Sequence, residues 1–119
     1  TWFNTQLVVV LGHSQCGAIS ATLDEIRKPA GIESRNLRSI VDRVRPSVEG
    51  LFSTDLRHDP EALARAAVRA NVRASADHLR HGSEVLERRI ARDELAVIGA
   101  EYSLETGIVD FFDGALAAD

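Results

Sequence analysis

The chain has 119 residues, of which 45% are hydrophobic and 27% charged, a composition typical of one globular domain of the α/β or all-α class. Its net charge of −4 argues against a nucleic-acid surface, and no apolar run approaches the roughly 20 residues of a membrane-spanning helix. No secretory signal is recognisable, so we expect a cytoplasmic protein with no nucleic-acid and no membrane partner.

The first half of the chain predicts one strand followed by two helices. Residues 7–11 are a continuous β-favouring apolar run, which suits a strand covered on both faces in a parallel sheet. A helix is expected to start within residues 13–16 and to stop before Pro29. Residues 34–48 carry apolar side chains at intervals of three and four, which predicts an amphipathic helix that Pro46 kinks or divides.

The middle of the chain predicts a polar loop and two further helices. The loop covers residues 53–59. Asp59 is a suitable N-cap and Pro60 suits the first helical turn, so a long Ala-rich helix is expected to run from here toward Gly82. Residues 83–90 predict a shorter helix.

Two strands are predicted near the end of the chain. Residues 94–100 are an apolar run that suits a second buried strand, and residues 107–112 form a third, more alternating one. A turn at residues 105–107 joins them. Because no internal repeat or low-complexity tract is present, residues 1–119 are expected to form a single domain.

The segment best suited to metal binding or catalysis is residues 12–18, Gly-His-Ser-Gln-Cys-Gly-Ala, between the first strand and the first helix. His13 and Cys16 lie three apart at the expected helix start, where they could share a face and point at one ion. Imidazole and thiolate are both good zinc ligands, and Gly17 would let the backbone approach a small ligand. The spacing alone leaves open a buried thiol and a hydrogen-bonded turn histidine.

The wider context resembles a known family. Residues 7–18, Leu-Val-Val-Val-Leu-Gly-His-Ser-Gln-Cys-Gly-Ala, resemble the second zinc-ligand motif of β-class carbonic anhydrases. Residues 95–109, Leu-Ala-Val-Ile-Gly-Ala-Glu-Tyr-Ser-Leu-Glu-Thr-Gly-Ile-Val, resemble a later strand and turn of that family. The pair Asn71-Val72 also stands where the family commonly has such a pair.

The resemblance implies a fold and an activity. The fold would be α/β, a parallel sheet flanked by helices that is incomplete on its N-terminal side. The activity would be the zinc-dependent reversible hydration of carbon dioxide to bicarbonate, a lyase reaction. By resemblance, His13 and Cys16 would bind Zn²⁺, and Gly17 would line the pocket for carbon dioxide or bicarbonate. The strand at residues 7–11 would have an open edge, so a homodimer or higher homo-oligomer is expected.

One departure from the family limits this assignment. The family supplies another cysteine, followed by an Asp and Arg that work as a pair, from a segment upstream of the first strand. This sequence has one cysteine, and adjacent Asp42 and Arg43 point to different helix faces, so the catalytic residues stay unknown. Two protein ligands are fewer than a catalytic zinc site uses. The chain alone is therefore expected to be weakly active or inactive, and a non-catalytic zinc-binding or subunit module is the alternative.

A serine hydrolase is a third, weaker alternative. Residues 11–15 partly mimic the Gly-x-Ser-x-Gly nucleophile elbow and would make Ser14 the nucleophile. Cys16 stands where that elbow requires a glycine. His78 and His81 are candidate bases, but both fall in a polar helical stretch that favours solvent-exposed histidines.

Overall fold

The computed structural model describes residues 5–114 and confirms the α/β class. In this part of the chain the strands are β1 (Gln6–His13), β2 (Leu95–Tyr102) and β3 (Val109–Asp113). The α-helices are α1 (Gly17–Arg27), α2 (Arg35–Val48), α3 (Pro60–His81) and α4 (Glu84–Ala91). Two 3₁₀ helices, Glu49–Ser53 and Asp55–His58, connect α2 to α3 where the sequence predicted only a polar loop.

The strands form one sheet in the order β1-β2-β3. Strands β1 and β2 are parallel, with Leu7 beside Ala96 and Leu11 beside Ala100. Strand β3 is a short antiparallel edge strand. This arrangement confirms the expected parallel strands, and the third predicted strand is an edge strand. It also places the carboxyl ends of β1 and β2 at the same edge of the sheet.

Helices α2 and α3 start at residues whose side chains cap them, and one of these, Asp59, is the predicted N-cap. The side chain of Ser34 accepts a hydrogen bond from the amide of Leu37, and that of Asp59 accepts one from the amide of Ala62. Pro46 does not divide α2, because it lies two residues before the end of that helix at Val48. A proline in the last turn interrupts few of the helix's hydrogen bonds, and the chain then continues into a 3₁₀ helix.

Helix α3 is the centre of the packing. One cluster of buried side chains joins α3 to α1 and α2, and it includes Ile19, Val48 and Leu63. A second cluster, built from Ala76, Leu95 and Val97, joins α3 to the sheet, and partly buried side chains of α4 pack against it. The sheet therefore carries its helices on the face of Leu95 and Val97.

Strand β1 is much more exposed than the sequence predicted. Leu7 is 59% exposed, Val9 40% and Leu11 57%. These three residues alternate with those facing α3, and β1 is also the outer strand of the sheet. The prediction of a strand covered on both faces is therefore wrong for residues 5–114, whereas the predicted open edge is confirmed.

For the aromatic residues near the two ends of the chain, Trp2, Phe3, Phe111 and Phe112, the sequence favours the core or subunit contacts. Trp2 and Phe3 lie outside the described residues. Phe111 is 49% exposed on β3. Phe112 is partly buried, and the guanidinium of Arg69 lies 4.6 Å from its ring centre. None of the helices within residues 5–114 combines the length and the apolar character needed to cross a membrane.

Candidate functional site

The segment that carries the predicted ligands is the connection from β1 to α1. His13 is the last residue of β1, Ser14 and Gln15 form a turn, and Cys16 is the N-cap of α1. The argument that His13 and Cys16 share a helix face is therefore wrong. Residues three apart share a face only inside a helix, and here an extended residue and a turn precede the first helical position.

The imidazole of His13 is exposed and is oriented by the backbone. Its Nδ1 lies 2.8 Å from the carbonyl oxygen of Ser14. In the tautomer that carries the proton on Nδ1, this atom donates to the carbonyl and Nε2 keeps its lone pair free. A backbone carbonyl on one ring nitrogen is a usual way to orient a histidine for metal binding through the other.

Cys16 lies between the solvent and the core. Its side chain is partly buried and packs against the cluster that joins α1, α2 and α3. The first turn of α1 contains no acidic residue, so no carboxylate offsets the positive end of the helix dipole beside the thiol. Gly17 is the first residue of α1, and a Cβ added to it would meet nothing within 4 Å. Both residues are therefore accessible from outside.

Glu105 is the main site residue that sequence reasoning missed. It lies in the turn after β2, and its carboxylate accepts hydrogen bonds from the Ser14 hydroxyl at 2.9 Å and the Gln15 amide at 2.7 Å. The Ser103 hydroxyl also donates to it, at 2.9 Å. Hydrogen bonds from its own backbone N–H, Ser14 and Ser103 lower the pKa of Glu105, because they stabilise the ionised form.

A cleft of about 810 Å³ opens beside this turn. Ser14, Gln15 and Cys16 contribute to its wall, whereas His13 and Gly17 are not among its lining residues. Arg65, Arg69, Glu101 and Asp110 also line it, among others. The structure thus brings Cys16 to the cleft and leaves His13 at the end of β1 outside it.

Arg69 fixes one wall of this cleft. Its guanidinium donates to Glu101 at 2.8 Å and to Asp110 at 2.7 Å, which ties α3 to β2 and β3. The hydrogen bond to Asp110 is the largest cause of the raised pKa of Arg69, and burial acts in the opposite direction. Arg69 is therefore a structural cation, already neutralised by two carboxylates.

The two candidate ligands are of the types that bind zinc, but two are too few to complete a zinc site. His13 and Cys16 offer the nitrogen and sulfur atoms that zinc prefers. Throughout residues 5–114, however, no group of three or more His, Cys, Asp or Glu side chains is arranged to hold a metal ion. These two residues can occupy two of four tetrahedral positions, and the other positions need donors from elsewhere.

The geometry does not support Ser14 as a hydrolase nucleophile. Its hydroxyl donates to Glu105 and accepts a hydrogen bond from the amide of Leu104 at 2.9 Å. A serine nucleophile is activated by a base that is usually histidine, yet within the described chain no imidazole hydrogen bonds to this hydroxyl. The hydroxyl serves a structural connection instead.

Comparison with known proteins gives a consistent result. A sequence model described as carbonic anhydrase matches residues 1–109. Carbonic anhydrase 2 of Mycobacterium tuberculosis is 35% identical over 118 residues, covering 90% of this chain and 49% of that protein. A carbonic anhydrase of Mycolicibacterium smegmatis is 33% identical over 121 residues, covering 92% of this chain and 50% of that protein. The chain spans about half the length of the curated relatives it matches.

Solved structures show the same fold. A chain from the structures of two tetrameric β-carbonic anhydrases of Sordaria macrospora superposes on this chain with a TM-score of 0.72 and 20% sequence identity. The match covers 89% of this chain and 51% of the Sordaria macrospora chain. The Coccomyxa β-carbonic anhydrase, solved with acetazolamide, gives a TM-score of 0.71 at 23% identity, and the match covers 90% of this chain and 46% of the Coccomyxa chain. At these identities the likeness concerns the fold alone.

Proposed function

The chain belongs to the β-class carbonic anhydrase family, and from that premise we propose that it takes part in the zinc-dependent reversible hydration of carbon dioxide to bicarbonate. The observation that carries this proposal is the connection from β1 to α1. It presents an imidazole and a thiol on either side of a two-residue turn, at the carboxyl end of a parallel strand. Ligand sites of open α/β sheets are commonly found at this edge.

In the proposed site, His13 and Cys16 hold the metal. The carbonyl of Ser14 favours the tautomer of His13 with the proton on Nδ1, which leaves the lone pair of Nε2 free to bind the metal. Zinc, when bound, acidifies a water molecule so that it can react near neutral pH. Gly17 has no side chain, and open space surrounds its Cα, so a small substrate could approach the first amide groups of α1.

The missing ligands limit what these 119 residues do by themselves. Because His13 and Cys16 provide two donors, the remaining positions on zinc need water, anions or residues outside the described group. We therefore propose that the chain alone has little activity. A non-catalytic zinc-binding or subunit module is the second candidate, favoured by the lack of a third metal-binding side chain near these two within residues 5–114.

We also propose that the protein forms a homodimer or a higher homo-oligomer. Leu7, Val9 and Leu11 expose apolar surface on an outer strand, which is unfavourable for an isolated chain. The Sordaria macrospora relatives are described as tetrameric. A single monomeric species by light scattering at micromolar concentration would contradict this proposal. The cytoplasmic location expected from the sequence stays a prediction.

The test of the metal assignment uses the protein in its native form. His13→Ala and Cys16→Ser should each lower both the zinc content per chain and the rate of carbon dioxide hydration measured by stopped flow. His78→Ala is the matched control, since His78 is an exposed histidine on α3. Either ligand variant with wild-type zinc and full activity would remove that residue from the site.

A further inference from the structure

The turn between the two proposed ligands is hydrogen bonded to the end of the neighbouring strand, β2, and to the turn that follows it. Because β1 and β2 are parallel, the residues that follow them meet at one edge of the sheet. The amide of Ser14 donates to the carbonyl of Tyr102 at 3.0 Å, and the amide of Leu104 donates to the Ser14 hydroxyl at 2.9 Å. The turn after β1 is therefore bound to the turn after β2.

Glu105 supplies the acceptors at the centre of this junction. One carboxylate oxygen, Oε2, accepts from the hydroxyls of Ser14 and Ser103, and the other, Oε1, accepts from the Gln15 side-chain amide. Ser14 and Gln15 are the two residues that separate His13 from Cys16. A single carboxylate thus fixes the complete turn between the proposed ligands.

The turn needs such support because of its backbone. Gln15 has a φ of 55°, in the left-handed region that side chains other than glycine rarely adopt. Its side chain points back to Glu105. The side chain of Cys16 caps none of the first amides of α1, so it does not hold the turn by hydrogen bonding. Besides the bonds of Ser14 to Leu104 and His13, the hydrogen bonds to Glu105 support this conformation, and the one to Gln15 acts on the left-handed residue itself.

We propose that Glu105 is a positioning residue, whose carboxylate holds the Ser14-Gln15 turn so that His13 and Cys16 are preorganised for one metal ion. This inference rests on the proposed function, because it assumes that these two residues are ligands. Glu105 itself does not contact the metal. Outer residues of this kind act by reducing the conformational freedom of the ligands, and they commonly raise metal affinity.

The chemistry of the junction requires an ionised carboxylate. The Ser14 and Ser103 hydroxyls and the Gln15 amide all donate, so both oxygens of residue 105 must accept. In Glu105→Gln one of these oxygens becomes an NH₂ group, which donates and cannot accept. The variant has nearly the same size and shape, so it removes acceptors without creating a cavity.

The experiment compares Glu105→Gln with Glu61→Gln. Glu61 lines the same cleft, and its side chain has no hydrogen bond to any residue of 5–114, which makes it the matched control. The first measurement is hydrogen exchange of the Ser14 and Leu104 amides in metal-free protein. We expect exchange about tenfold faster in Glu105→Gln and unchanged in Glu61→Gln, because the junction loses about one net hydrogen bond.

The second measurement is a Co²⁺ titration, followed by the near-ultraviolet absorption of a thiolate bound to cobalt. We expect Glu105→Gln to bind Co²⁺ roughly tenfold more weakly, at a temperature where each variant is fully folded. Ser103→Ala removes a donor to Glu105 from outside the ligand turn and should weaken binding in the same direction, which provides a second variant if Glu105→Gln does not fold.

The two measurements separate the two hypotheses. If the wild-type protein gives no thiolate-to-cobalt absorption, the metal assignment of Cys16 fails, while the exchange result still decides whether Glu105 holds the turn. If the wild-type protein binds Co²⁺ and Glu105→Gln binds it equally well, Glu105 is not a positioning residue. Unchanged exchange at both amides would also overturn the proposal.

Discussion

Gly12 of β1 lies directly against Val72 of α3, where a Cβ on the glycine would come within 2.6 Å of Val72 Cγ2. Val72 is 3% exposed and cannot move aside into solvent. We predict that Gly12→Ala lowers the free energy of unfolding by about 1 to 3 kcal/mol, the usual cost of overpacking a filled core. Chemical denaturation would measure this.

The same contact provides an internal control for that measurement. Gly50→Ala should be nearly neutral, because a Cβ there would meet nothing within 4 Å. In a Val72→Ala background, where the opposing methyl groups are absent, Gly12→Ala should cost much less than in the wild type. Equal costs in both backgrounds would show that the close approach of α3 to β1 is not the reason for glycine at this position.

Arg80 ties the end of α3 to strand β2 and to the last residue of β3. Its Nη2 donates to the carbonyl of Val97 at 2.7 Å, and its Nη1 donates to Asp113 at 3.1 Å. Only 18% of its side chain is exposed. We predict that Arg80→Ala costs about 2 kcal/mol of unfolding free energy, since charged hydrogen bonds are lost and a strand carbonyl loses its partner.

A surface arginine is the comparison for Arg80. Arg45 pairs with Glu49 at 3.5 Å, and these side chains are 42% and 56% exposed, far more than that of Arg80. Arg45→Ala should therefore cost less than about 1 kcal/mol. If thermal or denaturant unfolding gave the same loss for both variants, the bond from Arg80 to Val97 would not be important for stability.

The elements could be predicted because their signals are local. The N-cap at Asp59, the apolar spacing of residues 34–48 and the apolar run at residues 7–11 each indicate one element within a short window. Burial of β1 could not be predicted in the same way. A run of apolar residues indicates that a strand is stable only when other segments bury both of its faces. Within residues 5–114, no segment buries the face that carries Leu7.

The site was predicted only in part, for a related reason. His13 and Cys16 stand out because of their residue types, but their spacing of three indicates a shared helix face, whereas a strand end and a turn separate them. Glu105 lies about ninety residues from its partners Ser14 and Gln15. One signal was present: parallel strands place their carboxyl ends together, so the turn after β2 was a place to seek partners.

The pH dependence of the junction follows from the lowered pKa of Glu105. Its pKa lies below the ordinary value of 4.5, so the carboxylate stabilises the folded state fully above pH 4.5. This contribution is lost as the pH falls through the folded-state pKa. We predict that the stability difference between wild type and Glu105→Gln is constant near neutral pH and shrinks toward zero at more acidic pH, measured by urea unfolding at several pH values.

The Glu61→Gln variant controls for general acid effects in that series. Because Glu61 has no hydrogen bond to the described residues, its difference from wild type should stay small across the same range. A stability difference for Glu105→Gln that grows as the pH falls would have the wrong sign for a carboxylate with a lowered pKa. That result would show that the hydrogen bonds to Ser14 and Ser103 do not persist in solution.

The last prediction concerns the 119 residues alone and follows from counting donors. Two side chains, His13 and Cys16, can hold zinc at two positions, and no third donor of the described chain joins them. We predict that protein of this verified mass loses zinc to a mild chelator and hydrates carbon dioxide at or near the uncatalysed rate. Stopped-flow assays with and without added zinc would measure this. Robust zinc-dependent turnover that disappears in Cys16→Ser would contradict it, and would mean that chains within an oligomer share ligands.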